Sequence, residues 1–394
     1  MTLFIVVSIF CACSNADTRS IERADLASFD IGRMEGELDL FNLEGRRSQN
    51  ATELAMRDGF FFIANGNGQK VIRYNSYGDL LFMIYNEETN PPPLTLKSKS
   101  EGIHETRWAN PWPLRRPSHI AVDSRKHIFV VDTLPDERHN YNSAEKVILD
   151  RTILHFDDQG HFIEYLGQEG PGGTPFAAIE RLAITKDDML VVACRLPKGR
   201  TVYTFDSNGN QLTEMRFSNE RLPVPEHKRG VLPSLDTIAI APDSARIYLK
   251  LDYYHEIFDE AISTVAGMEP DSSYIWIVDL ENGDYLGSVE IPFFESVHIE
   301  NTKRVTENLI YSMFGAMRAG KLFFYSPLED GFSILVLDIH NPNKQRRGII
   351  KVNPDELQFF TFTISAEGVL SALLADNYRA KLVWWRTDKL ANDM

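Results

Sequence analysis

Short apolar runs recur along the chain, and each run is followed by a polar turn. Four units open with the same three-residue signature, Leu or Ile followed by Ala and an apolar residue. The signatures stand at residues 54–56, 120–122, 182–184 and 238–240. Each precedes an apolar run, an alternating segment, a turn with Gly and, last, a closing segment. Such turns between alternating segments are hairpin signals. The pattern therefore predicts units of four short antiparallel strands.

The number of units predicts a closed ring of sheets. A fifth, more degenerate unit covers residues 310–352, and a sixth unit at residues 360–385 has only three strands. Repeats of four strands are typical of β-propeller blades. Alternation at residues 37–41 predicts the missing strand of the last blade. We expect an all-β, six-bladed β-propeller over residues 29–394, closed by an N-terminal strand. A pair of β-sandwich domains is the alternative.

The first residues resemble an export signal. An apolar stretch at residues 3–10 precedes Ala12 and Cys13, and it is shorter than the ~20 residues that a membrane-spanning helix requires. A small residue before a cysteine, after an apolar run, resembles the lipobox of bacterial lipoproteins, in which the cysteine is acylated. The resemblance predicts a signal peptide at residues 1–12, a lipid on Cys13 and a tether at residues 13–28. An ordinary cleaved signal peptide is the alternative.

One unit also resembles a known repeat. Residues 117–123 read PSHIAVD, residues 128–132 read IFVVD and residues 156–160 read FDDQG. These strings resemble the NHL repeat, and the match is partial in the first, third and fourth units. With the lipobox, the resemblance implies a bacterial lipoprotein of the cell envelope. Ser14 in place of Asp after the cysteine favours the outer membrane by the same resemblance. NHL propellers bind proteins or ligands and a minority are enzymes, so the resemblance implies no particular activity.

Six long insertions are expected to crowd one face of the ring. In a four-stranded antiparallel blade, the connection from the second to the third strand and the connection to the next blade leave from the same face. The insertions cover residues 86–116, 134–150, 167–179, 218–235, 252–273 and 292–308. Long loops on a rigid scaffold usually carry function.

Two of these insertions contain residue types that are common in recognition sites. The candidate partner-binding residues are Trp108, Trp112, Arg115, Arg116, Tyr253 and Tyr254. The alternative is that the aromatic side chains only pin their loops to the ring.

The residue before each signature is polar. These residues are Glu53, His119, Arg181, Thr237 and, in the sixth unit, Thr361. The first strand of a blade lines the axial channel, and alternation places these side chains on the same face as the following Ala. A ring of this composition suits a small polar ligand. A solvated lining whose members pair with one another is the alternative.

Composition narrows the possible functions. The chain has 394 residues, 43% of them hydrophobic, and a net charge of -15, which describes a soluble globular protein whose surface disfavours nucleic acid as a partner. Three cysteines exclude a disulfide framework. No zinc, nucleophile-elbow or phosphate-loop motif is found, so we expect neither a metal nor a cofactor.

The expected function is a lipid-anchored, non-enzymatic envelope module that binds an envelope protein or ligand through its loop-rich face. The alternative is a hydrolase or lyase that works in the channel.

Overall fold

The computed structural model describes residues 19–41, 52–96, 107–259, 264–300 and 303–392. The predicted signal peptide and Cys13 lie outside the described residues. Regular structure within them is almost entirely β-strand, with one short α-helix at Thr387–Asn392. No described helix has the length and apolar composition that crossing a membrane requires.

Six sheets of the described residues each contain four antiparallel strands in the order inner, second, third and outer. The inner strands are Glu53–Arg57, Ile120–Val122, Ala178–Ile184, Leu232–Ile240, Ser312–Met317 and Phe359–Ile364. The second strands are Phe60–Asn65, Ile128–Thr133, Leu190–Leu196, Arg246–Asp259, Lys321–Leu328 and Leu370–Ala375. The third strands are Lys70–Tyr74, Arg151–Phe156, Gly199–Phe205, Thr264–Asp279, Gly331–Asp338 and Arg379–Trp385. The outer strands are Leu80–Tyr85, Phe162–Gly167, Gln211–Ser218, Tyr285–Ile291, Gln345–Lys351 and Arg23–Asp30.

The sheets are the blades of a closed ring. Each inner strand contacts the inner strand of the blade on either side, and the sixth contacts the first. Among the described residues, one apolar cluster fills each of the six gaps between neighbouring blades. Burying one Leu, Ile, Val or Phe side chain contributes about 1.5–3 kcal/mol. The predicted six-bladed β-propeller is thereby confirmed.

An N-terminal strand closes the ring, but it lies earlier in the chain than the sequence pattern predicts. Arg23–Asp30 is the outer strand of blade 6 and pairs antiparallel with Arg379–Trp385. Residues 23–28 of the segment predicted as a tether at residues 13–28 therefore belong to this strand. Only Phe29 of this strand is fully buried, so its hydrophobic pattern is weak.

Residues 37–41 alternate in burial without forming a strand. Leu38 and Leu40 are buried, and Leu38 makes only a single isolated bridge to Ile31. Side chains of blade 1 instead form hydrogen bonds with the backbone of this segment and of the residues before it. The Asn65 amide donates to the Asp39 carbonyl and accepts from the Asp39 amide, while the Lys70 ammonium donates to the Met34 carbonyl at 2.6 Å. The alternation therefore reports packing against the ring and not strand pairing.

Several predicted insertions contain strands of their own. Trp108–Pro111 adds to blade 1 in parallel with its outer strand. Asn140–Asn142 pairs with Val147–Leu149, and Phe294–Glu300 pairs with Lys303–Leu309. The remaining short elements are Arg19–Ser20, Gly170–Pro171, Asp136–Arg138, Asn219–Arg221 and Pro354–Glu356. Much of the loop-rich face is therefore built from ordered hairpins.

Candidate functional site

Three of the predicted channel residues lie together. The His119 ring nitrogen Nδ1 lies 3.2 Å from a Glu53 carboxylate oxygen, and the same oxygen accepts the Ile120 amide at 2.9 Å. Arg181 is close enough to act electrostatically on both side chains. The polar position before each signature thus brings a carboxylate, an imidazole and a guanidinium to one point.

The pKa values of Glu53 and His119 are shifted in opposite directions. Burial raises the pKa of Glu53, but the charge and hydrogen bond of His119 outweigh burial and hold that pKa below its ordinary value. Burial lowers the pKa of His119, but Glu53 outweighs it and raises that pKa above the ordinary value. Both effects favour the charged forms, so the pair behaves as an ion pair within the channel.

Thr237 and Thr361 occupy the corresponding positions of blades 4 and 6. Both are half-buried on inner strands, where Thr237 pairs with Lys250 and Thr361 pairs with Leu373. Neither hydroxyl forms a hydrogen bond with Glu53, His119 or Arg181 within the described ranges. The five predicted residues therefore do not form one continuous ring of contacts.

Bulges on the inner strands add carboxylates that the sequence reasoning missed. The register shifts between Ile179 and Arg181 and between Leu235 and Thr237, which sets Glu180 and Asp236 outside the regular pairing. Glu180 accepts from the Arg200 guanidinium at 2.6 Å. In the sequence, Glu180 and Asp236 each stand directly before the polar channel position of their blade, and this pattern could have revealed them.

Lys250 is a second missed residue. Its side chain is almost fully buried and forms ion pairs with Asp236 at 3.0 Å and with Asp252 at 2.7 Å. Burial outweighs Lys250 and raises the pKa of Asp252. A lysine within the apolar run at residues 247–251 was the signal that could have revealed this group.

The tryptophans of the first insertion are packed against the ring. Trp108 is buried, its indole donates to the Gln159 carbonyl at 2.8 Å, and the Arg73 guanidinium lies over its ring. Trp112 is half-buried and stacks on Phe162 at 4.2 Å. Trp108 is therefore a packing residue, which corrects its assignment as a partner contact and favours the alternative that it pins the loop. The aromatic character expected of a recognition site is used here to attach the loop.

Asp132 holds the following segment. Its carboxylate accepts the Arg115 amide at 3.0 Å and the Arg116 amide at 2.6 Å. The Arg115 side chain remains exposed and that of Arg116 is half-exposed. The backbone of these two predicted residues is therefore fixed, and the Arg115 side chain is exposed to solvent.

The two predicted tyrosines of blade 4 differ from each other. Tyr253 is fully buried, where its hydroxyl donates to the Pro223 carbonyl at 2.7 Å and accepts from the Trp276 indole at 2.9 Å. Tyr254 is half-buried and pairs with Leu232, the first residue of the inner strand, so the part of the hairpin that extends beyond the inner strand begins at His255. Tyr253 is thus also corrected from a partner contact to a packing residue.

Large apolar side chains are exposed on the hairpins. Tyr141 and Ile148 face each other across the blade 2 hairpin and are 63% and 59% exposed. Phe258 and Val265 face each other on the blade 4 hairpin and are 58% and 48% exposed. We call the face that carries these hairpins and Phe294–Leu309 the hairpin face. Its exposed apolar side chains form cross-strand pairs that the sequence analysis did not identify.

The opposite face, which we call the tight-turn face, carries the turns between third and outer strands and, nearer the axis, the turns between inner and second strands. These turns bind one another from blade to blade. The bonds join Lys126 to Asp58, Ser124 to Asp188, Lys186 to Pro242, Ala319 to Asp243 and Arg318 to Ala366. Five successive blade junctions of the described residues are linked in this way.

No metal site is formed by the described residues, in which no three His, Cys, Asp or Glu side chains converge. A linear chain of hydrogen bonds crosses blade 2, from His127 to His155 at 3.1 Å and from His155 to Glu164 at 3.1 Å. Burial lowers the pKa of His155. These groups follow one another along the blade and do not surround a common point.

Comparisons with known proteins show only distant structural likeness. No protein-family model and no curated protein matches the chain. The β-propeller domain of the trilobed protease from Pyrococcus furiosus is similar with a TM-score of 0.39 and 11% identity, over 86% of this chain and 95% of that chain. The acylaminoacyl peptidase of Pyrococcus horikoshii is similar with a TM-score of 0.33 and 12% identity. Its match covers 67% of this chain and 39% of the peptidase chain. The six-bladed fold therefore follows from the strand pairing itself.

Proposed function

We propose that this protein is a non-enzymatic binding module that engages an envelope protein through its hairpin face. The observation that carries the proposal is the pair of exposed apolar cross-strand contacts, Tyr141 with Ile148 and Phe258 with Val265. Single exposed apolar residues are ordinary on protein surfaces. Paired ones at the ends of projecting hairpins leave apolar area that a partner can bury.

The rigidity of the scaffold supports the same function. Each hairpin continues from a blade that is packed on both sides by apolar clusters. Asn140–Asn142 and Val147–Leu149 are a continuous antiparallel pair. A hairpin that is ordered before binding loses less conformational entropy when a partner docks.

A pull-down from detergent-solubilised envelope extract tests this proposal. The variant Tyr141→Ser/Ile148→Ser should lose most of the captured partner, because truncating an aromatic hot spot typically costs about 2 kcal/mol or more. Tyr77→Ser is the matched control, since Tyr77 is 87% exposed on the tight-turn face. Partner capture that is equal for the hairpin variant and the wild type would contradict the proposal.

The membrane attachment is part of the proposal and rests on the lipobox-like residues before Cys13. The resemblance of residues 117–160 to NHL repeats is consistent with a bacterial envelope lipoprotein. Cys13→Ala should release the protein into the soluble envelope fraction, because stable anchoring requires the acyl chains. Retention of this variant in the membrane fraction would contradict the lipid tether.

A hydrolase or lyase in the channel is the second candidate, and the Glu53–His119 ion pair with Arg181 nearby favours it. An imidazole held by a carboxylate can act as a general acid or base. A panel of nitrophenyl esters tests the hydrolase, whose turnover should be lost in His119→Gln. Equal turnover in this variant, or none in the wild type, would contradict an esterase at this site.

A further inference from the structure

A cavity lies between the inner strands at the tight-turn face, away from the proposed partner surface. The cavity has a volume of about 190 Å³. It extends from the signature alanines to the turns that follow the inner strands. Ala55, Ala121, Ala183 and Ala316 contribute to its lining. The small size of these side chains leaves space between the inner strands.

Apolar and charged groups occupy different levels of this cavity. Ile120, Leu182 and Ile364 join the alanines in its lining. The charged side chains of the lining stand at the end of an inner strand or in the turn that follows one, so they lie at the mouth. They are Arg57, Asp58, Lys186, Arg318 and Glu367. The cavity thus has aliphatic side chains beside the hydroxyls of Thr185, Thr363 and Ser365, and a charged mouth.

The balance of charge at the mouth is positive although the chain carries a net charge of -15. Both carboxylates are already engaged, since Asp58 is paired with Lys126 and Glu367 is paired with Arg318 at 3.1 Å. Arg57 and Lys186 form no ion pair within the described ranges. Two cations therefore remain to receive an anion.

The cationic side chains are mounted on fixed backbone. The Lys186 amide donates to the Pro242 carbonyl at 2.8 Å, and the Arg318 amide donates to the Ala366 carbonyl at 2.9 Å. The Arg57 guanidinium donates to the Val122 carbonyl at 2.8 Å across the neighbouring blade. These bonds join adjacent blades, so the mouth is formed before any ligand arrives and little ordering cost falls on binding.

We infer that this cavity binds a small organic anion, a carboxylate with a short aliphatic body. The carboxylate would bind Arg57 and Lys186 at the mouth, and the aliphatic body would lie against the signature alanines. A purely inorganic anion would leave the apolar interior unfilled. The site is separate from the hairpin face, so it does not depend on the proposed partner.

Isothermal titration calorimetry with hexanoate, acetate and inorganic phosphate tests the inference. Hexanoate should bind more tightly than acetate, because each buried methylene adds about fourfold in affinity. Phosphate should bind more weakly than hexanoate. No binding of hexanoate, or phosphate binding as tight as that of hexanoate, would overturn the assignment.

Two kinds of variant locate the ligand. Lys186→Gln, on an exposed side chain, should weaken hexanoate binding about tenfold, since a hydrogen bond to a charged group is lost. Ala183→Leu should abolish binding by filling the interior. Lys344→Gln is the control, because Lys344 is an exposed lysine of the same face and lies outside the cavity lining. Affinity unchanged in both Lys186→Gln and Ala183→Leu would overturn the inference.

The variants are first checked for folding by thermal melting. If Ala183→Leu does not melt cooperatively, Ala121→Val adds less volume at the equivalent position of blade 2 and should still weaken binding. Unaltered affinity in a cooperatively folded Ala121→Val would count against the cavity. Lys186→Gln decides the role of the mouth independently of either substitution.

Discussion

The hairpin face and the tight-turn face are made by the same strands, yet their polar and apolar groups are used differently. On the tight-turn face, the turns satisfy one another through bonds such as Ser124 to Asp188 and Arg318 to Ala366. On the hairpin face, strands continue beyond the ring and expose apolar pairs such as Phe258 and Val265. A face whose groups bind one another is closed to large partners, whereas a face with exposed hairpins is available to them. This contrast underlies the proposal that a partner binds the hairpin face, while the tight-turn face carries a small axial cavity.

The largest effect is expected from opening the ring, because both faces depend on its closure. Deletion of residues 1–30 removes the outer strand of blade 6 and exposes the edge of Arg379–Trp385. An open edge strand invites aggregation, so the protein should lose its cooperative melt. Deletion of residues 1–18 is the control. A cooperative melt near that of the control would show that closure by this strand is dispensable.

The next largest effect separates packing from recognition in the first insertion. Trp108→Ala should lower the free energy of unfolding by about 3–5 kcal/mol, the usual cost of removing a buried large aromatic side chain. Leu94→Ala, at an exposed position of the same insertion, should change stability little. The measurement is urea unfolding followed by intrinsic fluorescence. Wild-type stability in Trp108→Ala would return this residue to the set of partner contacts.

The channel pair gives an intermediate effect that depends on pH. Glu53 has a lowered pKa, so its contribution to stability is present above the ordinary value of 4.5 and is lost as pH falls through the folded value. His119 has a raised pKa, so its contribution is present below 6.5 and is lost as pH rises through the folded value. The ion pair should therefore stabilise the fold most between those two ordinary values.

Glu53→Gln tests the pair directly. The pKa of His119 should fall below that of the wild type when the carboxylate charge is removed, because burial then dominates. Histidine NMR titration reports this shift, and His340→Gln, at an exposed position, identifies a resonance that should not respond. An unchanged His119 titration would mean that Glu53 does not hold the ring.

The smallest effect belongs to a single link of the tight-turn face. Ser124→Ala removes the hydroxyl bond to Asp188 and keeps the backbone bond. Loss of one exposed hydrogen bond should cost about 0.5 kcal/mol. Ser143→Ala, at an exposed position on the hairpin face, is the comparison and should cost nothing measurable. A cost above about 2 kcal/mol would show that the turns act as one cooperative network.

The blades could be predicted because apolar runs and polar turns recur at the spacing of the strands, and the Ala signature lies in four of the six inner strands. The closing strand could not be located, since Arg23–Asp30 has one buried apolar residue while Leu38 and Leu40 are buried outside a strand. A polar outer strand is specified by its backbone pairing, and hydrophobic pattern carries little of that information.

The candidate site, like the fold, could be predicted in part from the sequence. Glu53, His119 and Arg181 come together because they share one position in consecutive repeats. Lys250 belongs to a second strand, so its approach to Asp236 depends on a bulge that periodicity does not reveal. Trp108 and Tyr253 were misplaced because a residue type typical of recognition is equally suited to packing, and only the path of the loop decides between the two.

Site-specific photo-crosslinking in intact cells tests the central claim most directly, namely that the hairpin face and not the tight-turn face binds the partner. A photoreactive amino acid is placed at Ile148, at Phe258 or at Tyr77, all three of which are exposed in the structure. The account predicts protein adducts from Ile148 and Phe258 and none from Tyr77. Adducts from Tyr77 alone would contradict it and would place the partner on the opposite face.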